Sequence, residues 1–327
     1  MNPPPVEVLA ARGRLHIFEL APWALAVAVY FLADSYLTVG AQILVTILFA
    51  LSLDVIVGYA GIVTLGHAAF FGLGAYTAGI LAVRGFGEPI TGLLLAGLVS
   101  GAGGLISGAV ILRTRGLTLV MLTLTVMLML NEVANRAYWL TAGADGLFGF
   151  QIWPLFGKFR FDIYGRTAYW YCLAVLFLGW WFVRMLVYSP FGRSLTGIRE
   201  NTRRMYAVGA PVRRRLVMAY TISAALAGIA GALLAQTTQS VAPSMINLDR
   251  SGTVLVMLIL GGVGRLYGAF VGVPVFMLAE DTLAKQDPTY WLFWIGVAIV
   301  ALVLFARGGI LGIFDRLLAG THAWRRL

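Results

Sequence analysis

The chain has 327 residues, of which 60% are hydrophobic and 12% charged. Soluble domains carry about 25% charged residues, so an ordinary soluble enzyme and a disordered chain are both excluded: too little polar surface exists to wrap this apolar mass. The formal net charge of +10 arises from basic residues set in short gaps between apolar runs, which is a positive-inside pattern and not a nucleic-acid surface.

One cysteine, Cys172, and three histidines, His16, His67 and His322, exclude a disulfide framework and a Cys-based zinc site. An all-α polytopic transmembrane helical bundle is expected. Residues 1–18 hold Pro3, Pro4 and Pro5 and lack the order of a secretory signal, so they are expected to form a cytoplasmic tail. A spanning helix needs about 20 apolar residues. About ten such spans are predicted, at 20–38, 41–58, 67–83, 90–111, 117–136, 168–187, 216–236, 251–264, 268–284 and 290–306. They make up a transmembrane domain over 19–307, followed by a basic cytoplasmic tail over 308–327.

Ten spans place both termini on one side. Seventeen of the 24 Lys and Arg residues fall on that side, which predicts cytoplasmic termini. The other seven are Arg84, Arg136, Lys158, Arg160, Arg166, Arg250 and Lys285, and four of them flank or occupy a long periplasmic loop at 137–167. Tyr138/Trp139, Tyr169/Trp170/Tyr171 and Tyr290/Trp291 fall at the outer ends, as interfacial aromatics do.

Three stripes of small residues recur at helical spacing: Ala68, Gly72, Ala75, Gly79 and Ala82; Gly97, Gly101, Gly104 and Gly108; Ala224, Gly228, Gly231 and Ala235. Each predicts a face where backbones approach closely. Glycines also break the apolar sequence at Gly58, Gly61 and Gly66, and again from Gly261 through Gly264 to Gly268. Paired breaks mark either a translocation path or two cytoplasmic inter-helix turns. Beside the first break, Asp54 is read as a substrate contact or a structural hydrogen-bonding group. His67 is read first as a capping or packing residue. A P-loop is absent: Lys158 follows Gly157, but Ile152 and Phe159 stand where glycine and Ser/Thr belong.

The loop at 188–215 predicts a short amphipathic helix. Ser194 is the expected cap, Gly209 the left-handed stop and Pro211 the bar to continuation. Leu195, Ile198, Thr202 and Met205 make a narrow stripe, and Glu200 precedes Arg204 by four residues. Such a helix either lies on anionic lipid or docks a cytoplasmic protein.

From about residue 41 to 313 the sequence resembles the permease subunits of branched-chain amino-acid ABC importers, in their M-type (LivM-like) branch. The resemblance rests on GYAGIVTLGHAAFFGLGAY at Gly58–Tyr76, TRGLTLVMLT at Thr114–Thr123 and TAGADGL at Thr141–Leu147. It rests further on SPFGRSLTGIREN at Ser189–Asn201, SAALAGIAGAL at Ser223–Leu233 and LGGVGRLYG at Leu260–Gly268.

The resemblance implies that Glu200 to Gly209, with Asn201 and Met205, is the counterpart of the coupling loop seated on an ATPase subunit. It implies an H-type permease as heterodimer partner, two ATP-binding subunits and a periplasmic or lipid-anchored solute-binding protein. ATP and magnesium would be bound by those partners, with no cofactor and no catalysis on this chain. A bacterial or archaeal cytoplasmic membrane is the implied location, and import by ATP-driven alternating access the implied activity. Relatives of this family are associated with branched-chain amino acids, urea, amides and aromatic acids. A solitary secondary transporter would instead follow an ion gradient, and a membrane scaffold would show no solute dependence.

Overall fold

The computed structural model describes residues 21–32, 36–161, 165–287, 289–291, 293–297, 300 and 308–312. The expected tail 1–18, residues 313–327 and much of the expected span 290–306 lie outside the described residues. The helices in chain order are α1 (Ala21–Leu32), α2 (Leu37–Asp54), α3 (Ala68–Val83), α4 (Pro89–Ile111), α5 (Leu117–Arg136) and α6 (Arg166–Tyr188). They continue with α7 (Pro190–Glu200), α8 (Thr202–Ala207), α9 (Val212–Thr238), α10 (Leu248–Gly261) and α11 (Gly268–Gln286). Two short strands, β1 (Leu147–Phe148) and β2 (Ser240–Val241), pair antiparallel.

Each expected span up to 268–284 meets a helix, but the described residues do not confirm the count of ten. Six helices among the described residues are long and apolar enough to cross a membrane. These are α2 with its continuation to Tyr59, α4, α5, α6, α9 and the stretch Pro243–Gly261 that contains α10. Helices α1 and α3 are apolar but shorter, and α11 ends in Glu280, Asp281 and Lys285. The end of the bundle carrying α7 and α8 is called basal here, and the end carrying β1 and β2 apical.

Helix α2 is the centre and α5 a rim: 72% of the apolar window of the first is buried against 22% of the second. Between apolar helices in lipid, close van der Waals packing holds the contact, and the glycine stripes supply it. A Cβ at Gly101 would lie 3.3 Å from the Ala225 Cβ, and one at Gly97 3.1 Å from Ile229, so the α4 stripe lies on α9. A Cβ at Gly231 would run into the Phe71 carbonyl oxygen, which places α9 against α3 as well. Gly231→Ala is therefore expected to destabilise the bundle by roughly 1–3 kcal/mol, because backbone cannot yield. Gly101→Ala, which meets only a methyl, should cost much less. Thermal melting of the two variants in detergent checks the difference.

The stripe on α3 has another partner. A Cβ at Gly79 would lie 3.0 Å from Val241, and one at Gly72 would collide with Ile246. After α9 the chain turns at Gln239, in the left-handed region at φ 50°, and pairs Val241 with Leu147. It then descends along α3 from Gly79 to Gly72, about 10 Å at 1.5 Å per residue. Non-helical backbone at such depth must find its hydrogen bonds inside protein, and Asn131 of α5 supplies two. Its Nδ2 donates to the carbonyls of Pro243 (3.1 Å) and Ile246 (2.5 Å), while Asn135 Nδ2 donates to Asn131 Oδ1 (2.8 Å).

Two expectations are corrected here. Arg250 does not lie at the outer surface, because the descending segment carries the start of α10 inward. Tyr169 and Tyr171 are buried, not interfacial: Tyr169 Oη donates to the Ala26 carbonyl (2.7 Å) and Tyr171 Oη bonds Gln236 Oε1 (2.7 Å). Tyr138 and Trp139 are exposed at the apical end, as expected.

Candidate functional site: a basal junction of the two glycine breaks

Helix α2 does not end at Asp54 but loosens into a π-turn over Val55–Tyr59, with Ala60 N–H donating to the Val55 carbonyl (3.3 Å). Such turns recur at functional positions. Gly58, within it, lies directly against Gly264 of the second break. A Cβ at Gly58 would overlap Asp54 Oδ1 and come within 2.5 Å of Gly264 N and 2.7 Å of Gly264 Cα. Asp54 is buried, and its Oδ1 accepts the Gly264 N–H at 2.7 Å. Its Oδ2 has no hydrogen-bond partner among the described residues. The carboxylate thus ties the end of α2 to the α10–α11 turn.

The third member of the junction comes from the basal loop. Arg199, near the end of α7, donates from Nη1 to the Gly58 carbonyl. Its stem lies where a side chain at Gly61 would be, 2.5 Å from Cγ to a Cβ built there. Gly61 has φ +72°, a backbone conformation glycine takes without a steric penalty. One arginine therefore touches the first break at two points and stands beside Gly264 of the second. Arg199 belongs to none of the predicted site residues. Its sole signal is a basic residue next to the buried stripe residue Ile198.

His67 and Gly66 lie deeper. The His67 ring stacks on Phe49, 5.4 Å between centroids, and Nε2 bonds Ser52 Oγ at 2.8 Å. Because Ser52 Oγ donates to the Phe49 carbonyl (2.6 Å), Nε2 carries the hydrogen in this bond. Ser223 Oγ donates to the Ser52 carbonyl, which brings α9 into the same buried network. His67 is thus a packing group that pins the start of α3 to α2. It does not cap α3 with its side chain; Ser251 Oγ of α10 accepts the Ala68 N–H instead (2.9 Å). A Cβ at Gly66 would strike the Thr123 carbonyl of α5, and one at Gly261 the Gly268 carbonyl across the α10–α11 turn.

The basal loop differs from the single helix expected between Leu195 and Val208. Ser189, not Ser194, caps α7: its Oγ accepts the Gly192 N–H (3.3 Å), with Pro190 at the first helical position. Ser194 lies one turn inside and bonds the Phe191 carbonyl (2.6 Å). Asn201 then breaks the helix in an extended conformation, and its Oδ1 accepts the Arg204 N–H (3.0 Å) to start α8. That break takes Glu200 and Arg204 off a common helix. Gly209, at φ +81°, ends α8, with Gly209 N–H to the Tyr206 carbonyl and Ala210 N–H to the Met205 carbonyl, both 3.0 Å.

The stripe faces inward. Leu195 and Ile198 are 1% and 2% exposed, packed on the bundle, and Met205 Sδ lies 3.1 Å from a Cβ built at Gly197 of α7. What the loop offers outward is Glu200, Asn201, Arg203, Arg204, Tyr206 and Val208, with Val208 76% exposed. A groove of about 670 Å3 separates α7 and α8 from the 112–117 turn and reaches Gly61 and Arg199. A larger crevice of about 990 Å3 between α4, α6 and α9 is walled by apolar side chains such as Leu94, Val175 and Ile229. It touches no junction residue, and its walls suit an acyl chain better than a polar solute.

The model of the family described as branched-chain amino acid transport system / permease component matches residues 35–306. The high-affinity branched-chain amino acid transport system permease protein LivM of Escherichia coli strain K12 is 29% identical over 323 residues, covering 90% of this chain and 74% of its own. The probable LivM of Methanocaldococcus jannaschii is 25% identical, covering 72% of this chain and 77% of its own. The LivH permease of Escherichia coli strain K12 matches at 29% over 38% of this chain and 41% of its own. No solved structure matches the chain. With a family model spanning most of an all-helical membrane bundle, the chain belongs to the branched-chain amino acid transport system permease family.

Proposed function

We propose that the chain is one transmembrane permease subunit of an ABC importer for branched-chain amino acids, driven by ATP hydrolysed on partner subunits. Family membership and the names of the relatives support the solute class. The observation that supports the mechanism is the Arg199 bond to Gly58: a side chain of the basal loop bonds the first backbone break and stands beside Gly264 of the second. A partner that moves α7 and α8 would move the α2 end and the α10–α11 turn with them. Alternating access then follows from rocking rigid helices about glycine-rich turns.

In this reading the basal end faces the cytoplasm and the exposed tip of α8 seats on an ATPase. A LivH-type permease completes the membrane domain, a second ATPase serves it, and a solute-binding protein delivers solute apically. The membrane is the cytoplasmic one of a bacterium or archaeon.

Affinity purification in mild detergent tests this: an ATPase subunit should co-purify with the chain. Val208→Asp should lose that ATPase, because it puts a charge on the exposed apolar tip. The bundle's melting temperature should stay the same, since exposed substitutions cost within about 0.5 kcal/mol. Uptake that follows an ion gradient, with no ATPase recovered, would establish a solitary transporter instead.

A further inference from the structure

Four arginines line the basal groove, and no acidic side chain does. Arg113 and Arg115 come from the turn between α4 and α5, Arg199 from α7 and Arg213 from the start of α9. All four are exposed, and none forms an ion pair among the described residues. Their contacts go to groups without charge. Arg199 bonds the Gly58 carbonyl, and Arg213 Nη2 donates to the Ala109 carbonyl at 2.9 Å. The Arg115 guanidinium stands 5.8 Å from the centroid of the Tyr206 ring on α8. Such contacts orient a guanidinium and leave its charge unneutralised. Glu200, next to Arg199, does not line the groove.

The groove lies at headgroup depth. Helices α4, α5 and α9 are each long and apolar enough to cross a membrane. The 23 residues of α4 span about 35 Å, against about 30 Å of hydrocarbon. Arg113 follows the end of α4 at Ile111, Arg115 precedes the start of α5 at Leu117, and Arg213 lies in the first turn of α9. Three of the four charges therefore stand where spanning helices leave the apolar core. The rim toward the membrane is apolar. Val63 and Leu117 are exposed there, and exposed Met121 and Leu128 continue the strip along one face of α5.

We propose that the basal groove binds an anionic phospholipid, its phosphate on Arg113, Arg115 and Arg213 and an acyl chain along α5. The guanidinium fork matches phosphate oxygens, and basic pockets between spanning helices suit anionic headgroups. A soluble anion or an acidic protein surface would answer the charge and leave the apolar strip above it uncovered; the lipid answers both. The proposal goes beyond the import reading and takes from it only that the basal leaflet is the cytoplasmic one. Because Arg115 stands beside Tyr206, a bound headgroup ties the 112–117 turn to α8.

The test places the whole complex in nanodiscs of phosphatidylcholine. The native thiol is removed as Cys172→Ala, and a bimane fluorophore is attached through Leu117→Cys at the rim of the groove. The signal of the same complex without the new thiol is subtracted. Phosphatidylglycerol with brominated acyl chains should quench the bimane with a relative affinity about tenfold or more above brominated phosphatidylcholine. Arg115→Gln should lower that preference about fivefold, and Arg113→Gln added to it should bring the two lipids close to equal. Arg115→Lys should keep most of the preference. Arg193→Gln, which removes a basal charge outside the groove, should leave it unchanged.

Equal quenching by the two lipids in the wild type would overturn the site, as would a preference that survives the double variant or falls equally in Arg193→Gln. Loss of the preference in millimolar inorganic phosphate would show a soluble-anion site instead, and quenching by neither lipid would show a partner covering the groove; either result refutes the proposal. If the double variant fails to assemble, the wild-type comparison and Arg115→Gln decide. ATPase co-purification is measured alongside. Its absence, with the lipid preference kept, would refute the import reading alone, whereas an ATPase recovered without any preference would refute this site alone.

Discussion

Replacing Gly58 by valine is expected to abolish uptake and to lower the melting temperature of the purified complex. A Cβ there overlaps Asp54 Oδ1 and falls 2.5 Å from Gly264 N and 2.7 Å from Gly264 Cα. The obstacle on one side is backbone, which cannot rotate away, and on the other a buried carboxylate already bonded to Gly264. Overpacking of this kind costs on the order of 3 kcal/mol, enough to drive Gly264 off Asp54 and leave a buried carboxylate unpaired. Gly296→Ala, whose added Cβ meets none of the described residues within 4 Å, serves as the control and should leave uptake and melting unchanged. Unaltered uptake in Gly58→Val would show that the two breaks need no close contact.

The helices were readable because their signal is local. Long apolar runs and the Gly209 stop each act within a few residues. The stripes were readable too, but a stripe reports that one face is small or apolar and not what covers it. The α3 stripe receives Val241 and Ile246 from an irregular segment, and the Leu195/Ile198 stripe receives the bundle itself. The descent of 241–246 was hidden because Pro243, Ser244, Asn247 and Asp249 have the composition of an outer loop. The groups that make the descent tolerable, Asn131 and Asn135, lie more than a hundred residues earlier. Ser194 was the expected cap, but Ser189, the serine before Pro190, carries the stronger signature. The junction was half legible: Asp54, Gly58, Gly61 and Gly264 stood out as charge and breaks in apolar sequence. Arg199 did not, because a surface-loop arginine looks like any other until the fold brings Gly58 to it.

Arg199→Met is expected to uncouple ATP hydrolysis from uptake. Methionine retains the apolar stem that covers Gly61 and removes the guanidinium that bonds the Gly58 carbonyl. A hydrogen bond from a charged donor contributes about 1.5–3 kcal/mol, so an equilibrium between two basal-loop positions would shift roughly ten- to hundredfold. Leu195 and Ile198 still anchor α7, and the exposed tip at Val208 is untouched. Complex yield and ATPase co-purification should therefore match the wild type. Arg199→Lys should restore part of the coupling, with a single ammonium donor in place of the fork.

The decisive measurement is the number of leucine molecules taken up per ATP hydrolysed in proteoliposomes holding the complete complex, compared between wild type and Arg199→Met. The junction account predicts that hydrolysis continues while solute moved per ATP falls about tenfold or more. A wild-type ratio in Arg199→Met would contradict it, because the basal loop would then reach the membrane helices by some route other than Gly58 and Gly264.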